Sequence, residues 1–178
     1  MKLVILHGPP ASGKLTIANE LAKAWSYQVM HNHLTVDLAL SIFPEFGSDD
    51  FFNFISSIRS ISIGKACKNN LPGLIITNCY THADSDTQSI NEWSKIVTMQ
   101  GGSVLPIFLD VPLAILKQRV SDASRRNTQK IQTQEALEQA MEQQVFGPIN
   151  SPNTLTIASG DLSVEETVAQ IIQSQSAH

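Results

Sequence analysis

The segment from Gly8 to Thr16 combines the residue types and the spacing that bind phosphate groups. Its Gly8-x-x-x-x-Gly13-Lys14 pattern matches the first seven positions of a phosphate-binding loop. In such a loop the glycines let backbone N–H groups curl around phosphate oxygens, and the lysine brings a positive charge to the outer phosphates. An apolar run precedes the segment and an amphipathic stretch follows it, so a helix N-terminus adds positive potential at the same point. The sequence therefore predicts that a nucleoside triphosphate is bound by Gly8, Pro9, Pro10, Ala11, Ser12, Gly13, Lys14, Leu15 and Thr16.

The residue after Lys14 departs from the general pattern. That position usually carries the Ser or Thr hydroxyl that ligates Mg²⁺, but Leu15 has no oxygen in its side chain. A hydroxyl comes one residue later, at Thr16. Direct ligation of a metal immediately after the lysine is therefore excluded.

The end of the third predicted strand carries a second departure. It reads Thr77-Asn78-Cys79, where many nucleotide hydrolases with this loop place an acidic residue for Mg²⁺ or water. Asp84 and Asp86 follow too far along the chain to be assigned that role. We therefore expect metal placement to depend on Asp37, Thr77 or water.

A polar segment, His31-Asn-His-Leu-Thr-Val-Asp37, follows the second predicted strand. In an open parallel sheet, ligands lie outside the carboxyl ends of the strands, so we expect the site to be bordered by His31, Asn32, His33 and Asp37. If a helix begins near His33, then His33 and Asp37 share one face of it, and the buried stripe would be Leu34, Leu38 and Ile42. A carboxylate can take the proton of an acceptor hydroxyl or orient an imidazole that does so, which makes Asp37 the first candidate base and His33 the second. The alternative is a helix cap with surface histidines.

Arginines supply the remaining candidate chemistry. Arg59 falls in the helix predicted over residues 50–68, and its planar fork suits a phosphate or a carboxylate. If Arg59 faces the site, the acceptor is expected to be anionic; a surface salt bridge is the alternative. Arg119, Arg125 and Arg126 lie in one short stretch. They could bring positive charge to the site, and the alternative is that they lie in a solvated loop.

Apolar periodicity divides the chain into alternating strands and helices that would position these groups. Nearly continuous apolar runs predict strands at residues 2–7, 27–30, 74–78, 104–109 and 155–157. Helical spacing predicts helices from Lys14, over 50–68, across Ile90–Val97, from Pro112, near 133–145 and from the Ser163/Glu166 capping box. This alternation predicts an α/β fold, a mostly parallel sheet covered by helices, in a single domain over residues 1–178.

Composition narrows the class of protein. The net charge of -4 argues against broad attraction to nucleic acid, and no apolar run reaches the roughly 20 residues that span a bilayer. Two cysteines are too few for a disulfide scaffold, and no zinc motif is present. We expect a cytoplasmic protein with neither a nucleic-acid nor a membrane partner.

The loop resembles that of adenylate kinases, which also place a non-hydroxyl residue after the lysine and a threonine next. The chain length, the early loop and the five-strand alternation are similar to those of the wider P-loop kinase group that includes shikimate kinase and chloramphenicol phosphotransferase. The loop together with the segment from His31 to Asp37 further resembles small bacterial kinase-like proteins. The likeness covers nearly the whole chain as architecture and residues 8–16 as a motif. It implies a three-layer α/β/α P-loop fold with a five-stranded parallel sheet in the order 2-3-1-4-5.

The same resemblance implies roles for particular residues. Thr16 would contact an inner phosphate, with Mg²⁺ held largely through water, and Gly160 in the segment 159–161 would approach adenine. The acceptor would lie against His31, Asn32, His33, Asp37 and Arg59. A lid-like segment over residues 119–131 would bring Arg125 and Arg126 to the transferring phosphate.

The implied function is ATP-dependent phosphorylation of a small-molecule acceptor, with ATP and Mg²⁺ as cofactors. A nucleotide kinase is one alternative, although strand three lacks the Asp-Gly-Phe-Pro-Arg sequence of adenylate kinases. An ATP-binding switch or NTPase that transfers nothing to an acceptor is the other.

Overall fold

Five strands form one parallel sheet in a computed structural model that describes residues 1–122 and 130–176. The strands are β1 (Lys2–His7), β2 (Gln28–Met30), β3 (Gly73–Asn78), β4 (Ser103–Asp110) and β5 (Leu155–Ala158). Their order is β2-β3-β1-β4-β5, as the resemblance implied. The central strand β1 ends with His7 level with Asn78 of β3 and Phe108 of β4, so the ends of three neighbouring strands open at the same edge.

Seven helices lie between and after the strands within the described ranges. They are α1 (Lys14–Trp25), α2 (Asn32–Leu40), α3 (Asp49–Lys68), α4 (Asp84–Thr98), α5 (Leu113–Val120), α6 (Gln134–Gln143) and α7 (Val164–Ser176). The predicted capping box is present at the start of α7, where the Ser163 N–H donates to Glu166 Oε2 at 2.8 Å and the Glu166 N–H donates to Ser163 Oγ at 3.1 Å. None of the helices in the described ranges combines the length and apolar character that a membrane crossing requires.

Both faces of the sheet are covered, which explains the continuous apolar run of β1. Leu3 and Ile5 belong to a core cluster with α3 and α4, which also contains Ile63 and Trp93. Side chains alternate along a strand, so Val4 and Leu6 enter the opposite cluster, whose other members include Ile17, Leu21 and Ile171 of α1 and α7. The three-layer architecture predicted from the alternation of elements is confirmed.

The predicted buried stripe of α2 is wrong. Leu34, Leu38 and Ile42 are 51%, 43% and 58% exposed, whereas Val36 and Ala39 are 8% and 0% exposed. Val36 and Ala39 join α3 residues in a core cluster, so the packing partner of α2 is α3. Apolar residues point in several directions around this short helix, and its own periodicity did not identify the face that α3 would cover.

Candidate functional site

The glycine loop links the end of β1 to the start of α1 at the centre of the sheet edge. Gly8 has φ 150°, and a Cβ built there would lie 2.8 Å from the Leu109 carbonyl oxygen. Gly13 has φ 87° at the N-cap of α1, a left-handed conformation that glycine adopts without steric cost. Both glycines of the motif are therefore required by backbone geometry.

Lys14 curls back over the loop that precedes it. Its Nζ donates to the carbonyl oxygens of Gly8 at 2.9 Å and Pro9 at 2.7 Å, and to Ser12 Oγ at 3.3 Å. The positive charge therefore lies against the loop, beside the backbone that the motif uses for phosphate. To reach an outer phosphate, Lys14 would exchange these carbonyl contacts for phosphate oxygens.

The loop is also tied to the helices after β4. Ala11 has φ 65° and is buried, and it belongs to a cluster with Val111, Leu116 and Leu137. A non-glycine residue in the left-handed region is strained, so this packing helps hold Ala11 in place. The conformation of the loop is thus coupled to α5 and α6.

A cavity of about 1210 Å³ opens beside the loop, at the carboxyl ends of the strands. The loop, α2, α3 and α4 contribute most of its walls. Of the residues predicted to form the site, those that line it are Pro10, Ala11, Ser12, Gly13, Lys14, Leu15, Thr16, His31, Asn32, His33 and Arg59. The topology therefore brings the phosphate loop and most of the predicted acceptor residues to one cavity.

Arg59 lies buried at the wall of this cavity, with an exposed fraction of 8%. Its guanidinium donates to Thr35 Oγ1 at 3.0 Å, to Asn78 Oδ1 at 3.3 Å and to Asn32 Oδ1 at 2.5 Å. Burial lowers its pKa to about 10, which leaves the group charged at neutral pH. Its hydrogen-bond partners are neutral, and no carboxylate of the described residues forms an ion pair with it, so the surface salt bridge alternative is wrong.

In the segment from His31 to Asp37, some side chains line the cavity and others face solvent. His31 occupies the N-cap position of α2, and its pKa is lowered by burial and by the charge of Lys130. His33 lines the cavity, and its Nδ1 lies 3.8 Å from Asp37 Oδ1. The Asp37 side chain is 60% exposed and is not among the lining residues. The four-residue spacing therefore brings His33 and Asp37 together, with the imidazole nearer to the cavity.

Hydrogen bonds to the end of β3 position α2 and Arg59. The Asn32 backbone N–H donates to Thr77 Oγ1 at 2.9 Å, while Asn78 accepts from Arg59. At the end of β3, many hydrolases with this loop carry an acidic residue. Here the position is occupied by Asn78, a neutral side chain whose amide oxygen accepts a hydrogen bond from Arg59. Asp86 also borders the cavity, from the first turn of α4, and accepts from the N–H and Oγ1 of Thr81 at 2.7 and 2.8 Å.

Metal-ligating side chains are not clustered in the part of the chain that the structure describes. Within residues 1–122 and 130–176, no group of three or more His, Cys, Asp or Glu side chains could hold a metal ion. Thr16 is exposed on the first turn of α1 and lines the cavity, so its hydroxyl is available near the loop. This donor set fits Mg²⁺ carried by a nucleotide and water, and it does not fit a resident metal held by a protein cage.

The segments after β4 and β5 meet through Arg119. Its Nη2 donates to the Gly160 carbonyl oxygen at 2.9 Å, and Arg119 lines the cavity. Gly160 itself packs against Pro112, since a Cβ there would lie 2.6 Å from Pro112 Cδ, and it does not line the cavity. Arg125 and Arg126, the predicted lid arginines, lie outside the described residues.

His7 is a buried group that the motif did not single out. It is 0% exposed at the end of β1, and neither ring nitrogen has a hydrogen-bond partner among the described residues. Its ring centroid lies 5.7 Å from that of Tyr80 and 5.3 Å from that of Phe108. Burial, followed by the positive charge of Lys14, lowers the pKa of His7 to about 3, so the imidazole is neutral at physiological pH.

Several solved structures with the same architecture are named as kinases. The chain is similar to a gluconokinase from Sinorhizobium meliloti (TM-score 0.65, 14% identity, 99% of this chain and 92% of that chain). It is similar to a sugar kinase from Janibacter (TM-score 0.67, 15% identity, 97% and 93%). It is also similar to a shikimate kinase from Acinetobacter baumannii in complex with shikimate (TM-score 0.61, 14% identity, 98% and 93%).

These likenesses extend over nearly the whole chain and show that it shares its fold with these kinases. No family model matches the sequence, and no curated protein matches it. At identities this low the likeness concerns the fold, and the function has to be argued from the site.

Proposed function

We propose that this protein transfers the γ-phosphoryl group of ATP to a hydroxyl of a small anionic acceptor. The observation that carries the proposal is Arg59, a buried cation on the wall of the cavity that also contains the phosphate loop. It forms no ion pair in the described chain; burial lowers its pKa, and the charge of the nearby Asp86 carboxylate only partly opposes this effect. A charge is costly to bury without an opposite charge. A bound anion would supply that opposite charge and would place the acceptor beside the nucleotide.

The loop residues would hold the triphosphate. Backbone N–H groups between Gly8 and Gly13, with the N-terminus of α1, provide the donors. Lys14 would move its ammonium from the Gly8 and Pro9 carbonyls to the outer phosphates, where it neutralises charge. The Thr16 hydroxyl would face an inner phosphate, and Mg²⁺ bound to ATP through phosphate oxygens and water would neutralise the remaining charge of the triphosphate.

His33 is the group that we assign to proton transfer, with Asp37 as the residue that orients it. The imidazole borders the cavity, while the carboxylate lies behind it at 3.8 Å and is largely exposed. As the acceptor oxygen bonds to the γ-phosphorus and the bond to the bridging oxygen of ADP breaks, the hydroxyl proton passes to His33. Arg125 and Arg126 remain proposed as groups that stabilise the transferring phosphoryl group.

The proposal is tested by incubating the protein with Mg-ATP and a pooled extract of small metabolites, then following phosphorylated products by mass spectrometry. We expect an acceptor-dependent product that disappears with Lys14→Ala and persists with Lys23→Ala. Lys23 provides a matched control because it lies on the same helix and its side chain is 72% exposed. His33→Gln should slow transfer more than Asp37→Asn, since only His33 would carry the proton.

The alternative function is an ATP-binding switch that transfers no phosphoryl group to an acceptor. Asn78, which is neutral and engaged with Arg59, leaves the end of β3 without the acid that many hydrolases carry. Tight ATP binding with no phosphorylated product from any extract would favour the switch. A product that arises equally in the Lys14→Ala variant would contradict the role of the loop.

A further inference from the structure

The cavity has an apolar part as well as the cationic part around Arg59. Five apolar side chains from α2, the following loop and α3 line it, and we call them the apolar wall: Val36, Leu40, Phe46, Phe52 and Ile55. A site for a small, fully polar acceptor has no need of such a wall.

Two members of the wall are large aromatic side chains that face solvent. Phe46 is 67% exposed and Phe52 is 49% exposed. Both pack edge-on against the fully buried Phe51, with ring centroids 5.0 and 5.4 Å from it. Burying such a ring contributes roughly 1.5–3 kcal/mol, so an apolar group placed against these rings would bind favourably to a surface that is already formed.

The helix α3 fixes the distance between the two parts. Phe52 and Arg59 are seven residues apart, which is close to two turns, so they lie on one face of α3. At 1.5 Å per residue, their backbone positions are separated by about 10 Å along the axis. Ile55 and Ser56 lie between them and also line the cavity, which makes this part of α3 a continuous strip from apolar to cationic.

The cationic end also contains a buried N–H donor without a partner in the described chain, that of Trp93. The ring of Trp93 lies 5.8 Å from Arg59 Cζ and borders the cavity. Its buried Nε1 has no hydrogen-bond partner in the described part of the chain, although a buried indole N–H ordinarily has one. Arg59 lies over the face of this ring, so an anion at Arg59 would give the N–H an acceptor where it also reaches the edge of the ring.

We infer that the acceptor is amphipathic, with an anionic group at Arg59 and Trp93 and an apolar body that extends about 10 Å along α3 to the apolar wall. This inference rests on the proposed function, because it describes the acceptor of that reaction. It predicts a class of substrate, carboxylates or phosphates with an alkyl or aryl body, that differs from small polyol acids.

The experiment measures binding of unbranched carboxylates in the absence of ATP by titration calorimetry, using acetate, butyrate, hexanoate and octanoate. A fully buried methylene contributes about 0.8 kcal/mol, which corresponds to about fourfold in affinity. For a groove with one open side we expect each added pair of methylenes to tighten binding by about fourfold or more. Equal affinity of all four acids would overturn the inference.

Substitutions at the wall separate the apolar contribution from the ionic one. Phe52→Ser and Phe46→Ser should remove most of the gain from hexanoate to octanoate, the step at which the chain becomes long enough to reach these rings, while leaving acetate binding unchanged. Ile61→Ser is the matched control, because Ile61 is 60% exposed on the same helix and does not line this cavity. Octanoate binding that persists in both phenylalanine variants would overturn the inference.

A neutral ligand and the transfer assay distinguish the possible failures. Octanamide, which has the same body without the charge, should bind at least tenfold more weakly than octanoate, and equal binding of the two would also overturn the inference. If chain length matters but no extract yields a phosphorylated product, the amphipathic site stands while the kinase function fails. If an extract yields a product that lacks an apolar body, the kinase stands and the inference fails.

Discussion

Arg59 is a buried cation at the wall of the site, so its charge has little contact with solvent. Three of its five N–H donors bond to neutral oxygens, from Thr35, Asn78 and Asn32, which orient the guanidinium without neutralising it. The Asp86 carboxylate acts on it without forming an ion pair. Such an arrangement keeps the charge available to a ligand, whereas an ion pair with a carboxylate would compete with it. In the proposed function, Asn32 and Asn78 would position Arg59 for the acceptor.

A conservative substitution tests this arrangement. Arg59→Lys keeps a positive charge but loses the planar fork, so we expect the KM for the acceptor to rise by about 10-fold to 100-fold, while the KM for ATP changes little. Steady-state kinetics with the acceptor found by mass spectrometry would measure both constants. A comparable rise in the KM for ATP would place Arg59 on the nucleotide side instead.

His7 gives the protein a pH dependence of stability that does not involve catalysis. Its pKa is about 3 in the folded chain, against 6.5 for an ordinary histidine, so the unfolded chain binds the proton more tightly. Stability from this group is therefore fully present above about pH 6.5 and is lost as the pH falls toward 3.

Replacement of His7 isolates that contribution. In His7→Phe, the free energy of unfolding should fall less steeply with decreasing pH than in the wild type, by up to about 1.4 kcal/mol per pH unit. Urea unfolding at several pH values below 6.5 measures the two slopes. Parallel slopes would mean that His7 is not buried in its neutral form.

Some functional residues could be predicted from sequence and others could not. Lys14 lies in a motif whose spacing fixes its surroundings, and its position in the loop followed from that spacing. Arg59 was predicted as an acceptor-binding residue with a surface salt bridge as the alternative, because one arginine on a long helix does not indicate which side of the helix faces the sheet. Trp93 carried only a helical apolar spacing, and the role of its N–H depends on a neighbour 34 positions away in the chain.

At the scale of elements, α2 shows how tertiary packing overrides local pattern. Leu34 and Leu38 are the bulkier residues, but Val36 and Ala39 face α3. Contacts from outside the helix, including the hydrogen bond from Arg59 to Thr35, determine the rotation of α2. The strands and the long amphipathic helices were predictable because one period dominated each of them.

The rotation of α2 predicts an inverted order of mutational effects. Val36→Ala should cost about 1–2 kcal/mol of unfolding free energy, since it removes buried methyl groups. Leu38→Ala removes a larger side chain but should cost less than about 1 kcal/mol, because that side chain is 43% exposed. Chemical denaturation of both variants provides the comparison, and a larger loss for Leu38→Ala would show that the helix is rotated differently.

At the scale of the whole molecule, the parallel sheet brings distant parts of the sequence to one edge. The loop after β1, the segment after β2 and the end of β3 meet there because β1, β3 and β2 are neighbours in the sheet. The strand order was expected from the likeness to P-loop kinases. Periodicity alone predicted the strands without their order.

Nucleotide binding should stabilise the whole domain through the loop. A ligand at 100 times its Kd adds about 2.7 kcal/mol to the free energy of unfolding, so Mg-ATP should raise the Tm of the wild type by several degrees. Lys14→Ala should lose most of that rise, whereas Lys23→Ala should retain it. A full shift in the Lys14→Ala variant, measured by thermal denaturation, would argue that ATP binds elsewhere.

The central claim is transfer of a phosphoryl group to an anionic acceptor, and the fate of that group tests it most directly. ATP labelled with heavy oxygen in its γ-phosphoryl group would be incubated with the protein and the metabolite extract, and every labelled product would be resolved by mass spectrometry. We predict that the label appears in the phosphate ester of a metabolite that was already anionic, and that this product is lost with Lys14→Ala and reduced with Arg59→Lys. Label found only in inorganic phosphate, or in the ester of a neutral or cationic metabolite, would contradict the claim.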